Sequence, residues 1–571
     1  MENTATSEEP VRAVSRVPNE IWTRIFYALE FDYRSLWAVY ATCVQFHQCV
    51  QPALFYHLHV HFVENTIPEH KPFDKRIAYH RPWVQFNDVR VLEISDSYSH
   101  LECNTRVTRS LQSLFELIPG VRVIKWKSRR EINQSILDMF KYFQRPIIID
   151  IQGAQEIFIY NATIFRMLHA FPLLYIRSLD INLEHWDQEN GVLKRSLFPI
   201  CSLPTLKALT LTYRATAPSF KVCNIIIPPG ARLARLKSLR LYNVHMQGVG
   251  DSEWTRSLQC SALRHLTIDG YFLTMQALKQ LAGKVPNLKS LSVRLRNEED
   301  QISEPLPFET RARFLDDASP SICFTLGCFL RGVRALEEFN GYDLPLSTLN
   351  DLLLFQGQYL QTLRFRDTVV RDTDRGAGAV FFGCDQLVWM IHQLPVLKTL
   401  GITMAIGRET VPMLNYISRI PLLTRLEINT PPEAFLEDDE NETPPPRTIP
   451  IPLELLEQIF DYLDRRKRYY SAVVGNNQWP SFNALDMIAR EWEPMLGGMR
   501  WAFWGLKSTY IYTCRRKIGS PREVEVSFVS GAGLSLMCVH RYNQVLTATE
   551  IWDRPGTYSF DDTSGVEFFN E

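Results

Sequence analysis

Three histidines alternate with apolar residues in the stretch HLHVHF, which sets His57, His59 and His61 on one side of an extended segment and Leu58, Val60 and Phe62 on the other. Three imidazoles on one face could bind zinc, which takes three or four oriented nitrogen, sulfur or carboxylate ligands. No carboxylate or thiol stands at ligand spacing beside them. The expectation is therefore a solvated strand face, with no metal and no cofactor. The 11 cysteines are scattered, with no C-x-x-C pair, and read as reduced thiols of an intracellular protein. Signatures of phosphate-cradling loops, zinc peptidases, serine hydrolases and kinases are all missing, so no enzyme activity is expected. Arginine offers a different chemistry. Arg240, Arg294, Arg364 and Arg366, with Tyr242 and Asp269 among them, occupy corresponding places in short stretches of alternating apolar and polar residues. Guanidinium forks pair bidentately with carboxylate and phosphate. These six residues are the candidate site for an acidic or phosphorylated protein segment, against the plainer reading of a charged, solvated strand face.

The elements that carry them repeat. LPTLKALTLTY (203–213), LARLKSLRLYN (233–243), CSALRHLTIDG (260–270), VPNLKSLSVRL (285–295), LPVLKTLGITM (394–404) and IPLLTRLEINT (420–430) share the pattern L-x-x-L-x-L. Looser copies begin near residues 89, 121, 176, 336 and 360, and most intervals from 176 onward are between 24 and 30 residues. The last four positions alternate as in a strand with one apolar face. A helical segment precedes the strand. In LTMQALKQLAGKVPNL, Thr274 is expected to cap a helix carrying Leu278 and Leu281, with Gly283 closing it and Pro286 barring its continuation. One such unit cannot bury its own apolar face, so copies must stack. Over roughly residues 86–430 the chain resembles a leucine-rich repeat protein. It departs from that pattern where Asn or Cys is usual, with Arg214, Val244, Tyr271 and Arg296 instead. The resemblance implies an α/β fold, an irregular horseshoe without a continuous Asn ladder. Residues 296–332 and 367–380 read as loop insertions.

Composition narrows the class. The 571 residues are 46% hydrophobic and 22% charged, with 62 basic against 63 acidic side chains. That balance argues against nucleic acid or an anionic membrane surface as the partner. The start, MENTATSEEP, has no secretory pattern, and no run of about eighteen apolar residues occurs. A cytoplasmic or nuclear location, or both, is expected.

Near the start stands VPNEIWTRIFYALE, in which Pro18 suits a first helical turn, Glu20 favours its positive end, and Ile21, Ile25 and Leu29 recur at a spacing of four beside Phe26. Leu36, Val39, Cys43 and Phe46 mark a second helical face, and Gln51–Pro52 opens a third short helix. Residues 15–58 resemble an F-box. Pro18, Glu20, Ile21, Ile25, Phe26 and Leu29 match its first block, and Val39, Cys43 and Phe46 its V-C-x-x-F block. The resemblance implies that these first-block residues dock on the Skp-family adaptor of a cullin-RING ubiquitin ligase, while the repeats hold a protein substrate. A helical cap of the solenoid is the competing reading of the same helices. Far downstream IPLELLEQIFDYLD repeats the first block at Pro452, Glu454, Leu455, Ile459, Phe460 and Leu463, without the second. It is expected to be a packing helix, with a duplicated box as the alternative. The expected order is a disordered tail over 1–14, the box over 15–60, the solenoid over 61–430, an acidic proline-rich linker over 431–450 and a C-terminal region of unread function over 451–571.

Overall fold

The computed structural model describes residues 18–28, 33–54, 56–62, 89–96, 111–112, 114–127, 134–140, 146–155, 174–182, 194–196, 203, 205–213, 223–227, 233, 236–248, 254–294, 321–342, 344–366, 384–404, 410–430, 453–474, 479–495, 503–516, 524–532, 557–558 and 566–569. The expected tail, the linker over 431–450 and Leu29 lie outside them. The fold is mixed α/β with a mostly parallel sheet. The chain divides into two compact units, one from 1–189, 197–214 and 545–571, the other from 190–196 and 215–544.

The first unit opens with three short helices, α1 (Asn19–Ala28), α2 (Tyr33–Tyr40) and α3 (Val44–Leu54). They lead into β1 (His57–Phe62), which pairs in parallel with β2 (Val91–Asp96). The parallel ladder continues through β3 (Val123–Trp126), β4 (Ile147–Gln155), β5 (Leu174–Asn182) and β6 (Ala208–Thr212). Successive strands bury the same alternate positions, including Leu92 and Ile94, Ile124 and Trp126, Leu179 and Ile181, and Leu209 and Leu211.

In the second unit β7 (Ser238–Tyr242), β8 (His265–Asp269), β9 (Ser290–Arg294), β10 (Glu338–Tyr342), β11 (Thr362–Arg366), β12 (Thr399–Thr403), β13 (Arg425–Thr430) and β14 (Ala484–Met495) pair in parallel, each with the next. Antiparallel β15 (Phe503–Arg516) and β16 (Val524–Ala532) follow. A small parallel sheet of Lys194–Ser196, Cys223–Ile227 and Val244–Gly248 belongs to this unit too. The crossovers contain α4 (Tyr271–Leu281), a helix over 321–331, α5 (Ser347–Gln356), α6 (Cys384–Gln393), α7 (Thr410–Ile417) and α8 (Leu453–Val473). Among the described residues no helix is long and apolar enough to cross a membrane.

Backbone hydrogen bonds explain the L-x-x-L spacing. The first apolar residue closes a turn, as Leu288 N–H to Val285 C=O, Leu397 to Leu394 and Leu423 to Ile420. The next carbonyl then accepts two N–H groups from the following strand: Lys289 from Glu337 and Glu338, Gln361 from Lys398 and Thr399, Thr424 from Asn483 and Ala484. Each strand start is thereby locked to its predecessor. Buried Gln356 on α5 accepts Leu336 N–H at 2.9 Å and donates to the Leu330 and Val333 carbonyls.

Several expectations change. Thr274 is not a cap: α4 starts at Tyr271 after Gly270, so Thr274 lies inside the helix, while Gly283 does follow its end with φ of 72°. The expected loop over 296–332 contains the helix over 321–331, whose Ile322, Leu326, Phe329 and Leu330 are buried. Residue 430 does not end the ladder. The stretch FNALDM places buried Phe482, Leu485 and Met487 in the L-x-x-L-x-L register, and β14 pairs with β13. The long interval from Leu423 hid this copy from a period of 24 to 30 residues.

Candidate functional site

The first candidate surface is built by α1 to α3. Pro18 C=O accepts the N–H groups of Ile21 and Trp22 at 3.0 and 3.3 Å, turning the chain into α1. Gln45 Nε2 donates to Asn19 Oδ1 at 2.9 Å and ties α3 to that start. The C-x-x-F spacing has a local cause, since Cys43 Sγ accepts the Phe46 N–H at 3.4 Å and caps α3 as a hydroxyl would. Phe26, Leu36, Cys49, Val50 and Ala53 form the shared core, with Trp22, Val39, Tyr40 and Phe46 packed against it. The Phe46 ring meets Trp22 edge-on at 4.8 Å and Phe26 at 5.7 Å. Phe26, at 3% exposure, is thus a core residue and not the docking anchor expected of it. Ile21 and Ile25 remain open at 44% and 43%, one helical turn apart, with Pro18 and Glu20 exposed near them.

The downstream copy of the motif behaves differently. Ile459 stands where Ile25 stands in the first copy, yet it is 4% exposed, and Phe460 and Leu463 are buried beside it. Phe460 packs on Phe482 at 5.4 Å, and Lys467 Nζ reaches back to the Ile420 carbonyl at 2.9 Å. Burial pushes the Lys467 ammonium down to about 7, with Asp464 pulling the other way. The apolar stripe of α8 is spent on the β13–α8–β14 crossover.

The second candidate surface is the polar side of the strands. Fully buried Glu427 on β13 accepts two hydrogen bonds from Arg364, at 2.8 and 3.0 Å, and further contacts from Arg366 and, at 3.2 Å, Arg425. Arg425 and Arg515 bracket buried Asp486 at 2.8 and 2.6 Å. Arg364 spans the intervening β12 because Gly401 stands there: a Cβ would lie 2.9 Å from Arg364 Cγ and 3.2 Å from Glu427 Oε2. Burial alone would raise the Glu427 carboxyl, but Arg366, Arg364 and Arg425 outweigh it and hold the group at about 2. Burial works against the Arg364 cation, while Glu427 raises its pKa above the usual range.

This geometry corrects the expected arginine patch. Arg364 and Arg366 are engaged by Glu427, and Arg366, Arg294 and Asp269 are buried, because from β8 to β11 the last strand position turns inward. Arg240 and Tyr242 on β7 stay half-exposed. The histidine face is corrected as well. His57 is buried 3.5 Å from Glu93, which also faces His59 at 3.9 Å, Lys125 at 3.6 Å and Lys127. Burial opposes ionisation of Glu93, but His57, Lys127 and His59 keep its pKa well below the usual carboxylate range. Among the described residues no group of three His, Cys, Asp or Glu side chains is placed to hold a metal ion. Glu93, Asp486 and Gly401 escaped the sequence reading, since their neighbours appear only when strands are aligned side by side. Compared with known proteins, the chain matches no family model and no curated sequence.

Proposed function

We propose that this chain is a non-catalytic substrate receptor: α1 to α3 act as an F-box that docks on a Skp-family adaptor of a cullin-RING ubiquitin ligase, and the strand ladder, read as leucine-rich repeats, holds the protein substrate. Holding the substrate near a ligase-bound donor raises its effective concentration, and no chemistry by the chain itself is needed. The observation that carries this reading is the contrast between two copies of one motif. Ile25 is 43% exposed on a three-helix unit, and its counterpart Ile459 is 4% exposed. Both motif copies have a core side, but the first leaves Ile21 and Ile25 over. Two aliphatic side chains a turn apart beside a proline suit burial against a partner, where such anchors cost about 2 kcal/mol or more when lost.

The test is co-purification with a Skp-family adaptor. Ile21→Asp with Ile25→Asp should abolish capture while the far-UV spectrum and unfolding midpoint stay near those of the parent. Undiminished capture by this variant would refute the docking assignment. Failure of the parent to capture any adaptor would favour a repeat scaffold unconnected with ubiquitin.

A further inference from the structure

The inner stripe of α8, with Ile459, Phe460 and Leu463, is buried in its crossover. The opposite side meets water in the second half of the helix, where the chain reads RRKRYYSAVV over 465–474 without an acidic residue. Arg465, Arg468, Tyr469 and Val473 stand at i, i+3, i+4 and i+8 on one stripe, and all four are exposed. Tyr469, Val473 and Val474 are each more than half open to solvent. Apolar surface gathered in one group marks a place of contact, as scattered exposed residues do not. The charge around it is largely uncompensated. Buried Asp464 holds Arg468 and, at 2.7 Å, Arg516. Arg465 Nε donates to the Asp461 carbonyl at 3.3 Å, and Arg466 Nε to the Tyr462 hydroxyl at 3.3 Å, with its guanidinium 5.5 Å from that ring. Arg419, just past α7, lies 5.1 Å from both the Tyr416 and the Tyr470 ring. Among the described residues no carboxylate pairs with Arg465, Arg466 or Arg419. The exposed acids of α8, Glu457 and Asp461, stand earlier on the helix. Tyr470 OH donates to Asn415 Oδ1 at 2.9 Å and fastens α8 to α7, so the surface is held in place before any partner arrives.

We propose that the outer face of α8 over 465–474 docks an acidic amphipathic helix of a partner protein, its carboxylates on Arg465, Arg466 and Arg468 and its apolar side chains on Tyr469, Val473 and Val474. This surface lies beyond the adaptor assignment and does not depend on it. Charge complementarity selects the partner: guanidinium forks without a carboxylate pair with one. The stretch spans about 15 Å of helix, which suits a partner helix whose anchors recur at i, i+3, i+4 and i+7. Tyrosine and arginine are also the residue types that dominate binding energy at interfaces. Guanidinium groups come first along the stripe and apolar groups last, toward the negative end of the helix dipole, so the carboxylates of the partner belong at the Arg465 end. Single-stranded nucleic acid fits less well. Its bases need open aromatic faces, whereas Tyr416, Tyr462 and Tyr470 are half-buried with guanidinium groups already against their rings. Val473 and Val474 offer nothing to a phosphate backbone.

The experiment uses the purified full chain and three fluorescent libraries of helical peptides about 14 residues long. One has glutamates beside leucine anchors, the second lysines beside the same anchors, and the third glutamates with serine at the anchor positions. The first should bind roughly ten-fold more tightly than either of the others, about 1.4 kcal/mol. Arg465→Glu with Arg466→Glu should abolish the preference for glutamate over lysine, and Arg465→Gln with Arg466→Gln, which guards against misfolding of the double reversal, should weaken it. Val473→Ser with Val474→Ser should erase the advantage of leucine over serine anchors. Arg334→Glu with Lys398→Glu, an equal change of charge at two exposed positions of the same unit, should alter nothing. Equal binding of the glutamate and lysine libraries, or a preference that survives both the glutamate and the glutamine pairs, would overturn the proposal. So would displacement of the peptide by single-stranded RNA, or a dimer of the parent that Val473→Ser with Val474→Ser dissolves, which would give the face to a second copy. Binding that appears only once Glu437, Asp438, Asp439, Glu440 and Glu442 are changed to their amides would give it instead to the chain's own acidic stretch. The Ile21→Asp, Ile25→Asp variant should keep full peptide binding while losing adaptor, so the two readings fail separately.

Discussion

Glu427 shows most clearly how a single residue acts in this protein. Its fully buried carboxylate gathers Arg364, Arg366 and Arg425. Removing one partner of a buried ion pair strands the others and typically costs about 3–5 kcal/mol. Glu427→Gln should therefore lower the urea unfolding midpoint of the second unit strongly, and a loss under about 1 kcal/mol would show that the network is dispensable. The pH dependence has a definite sign. A carboxyl held at about 2 in the fold, against about 4.3 when unfolded, stabilises fully above the unfolded value and loses that contribution as pH falls through the folded one. The gap between parent and Glu427→Gln should accordingly be constant from neutral pH to about 5 and shrink below about 4.

At the scale of elements, α1 and α8 are two helices with one motif and opposite uses. Residue spacing gives each an apolar stripe, and what surrounds the helix decides whether that stripe is covered. Ile459→Ala removes buried volume beside Phe460 and Phe482, and should cost about 2–5 kcal/mol. Ile25→Ala removes a side chain that is nearly half in water, and should change stability by less than about 0.5 kcal/mol while weakening adaptor capture. Chemical denaturation of both variants, with capture measured alongside, checks the pair. Equal destabilisation by the two would mean that α1 is a packing helix like α8 and would support the solenoid-cap reading.

For the molecule as a whole, the parallel ladder of the second unit runs on through β14, so that strand, well past residue 430, belongs to the same sheet. A chain cut after residue 430 would leave β13 as an edge with unpaired N–H and C=O groups, a template for aggregation. We expect that truncation to yield aggregated or insoluble protein. A soluble, monodisperse fragment by size-exclusion chromatography would show instead that the C-terminal region is a separate domain.

Local features were legible in the sequence because they depend on neighbours a few residues away. The alternation in L-x-x-L-x-L, Gly283 after α4, and the helical spacing of Ile21, Ile25 and Phe26 all belong to this class. Which side of those patterns meets water depends on residues far along the chain, and only the tertiary structure decided it. Arg364 finds Glu427 across 63 positions and over a glycine. The FNALDM strand joins β13 beyond a long insertion, and Ile459 is covered where Ile25 is not. The physical reason is that periodicity sets which positions share a face, whereas burial and charge pairing are properties of the surfaces that chain topology brings against that face.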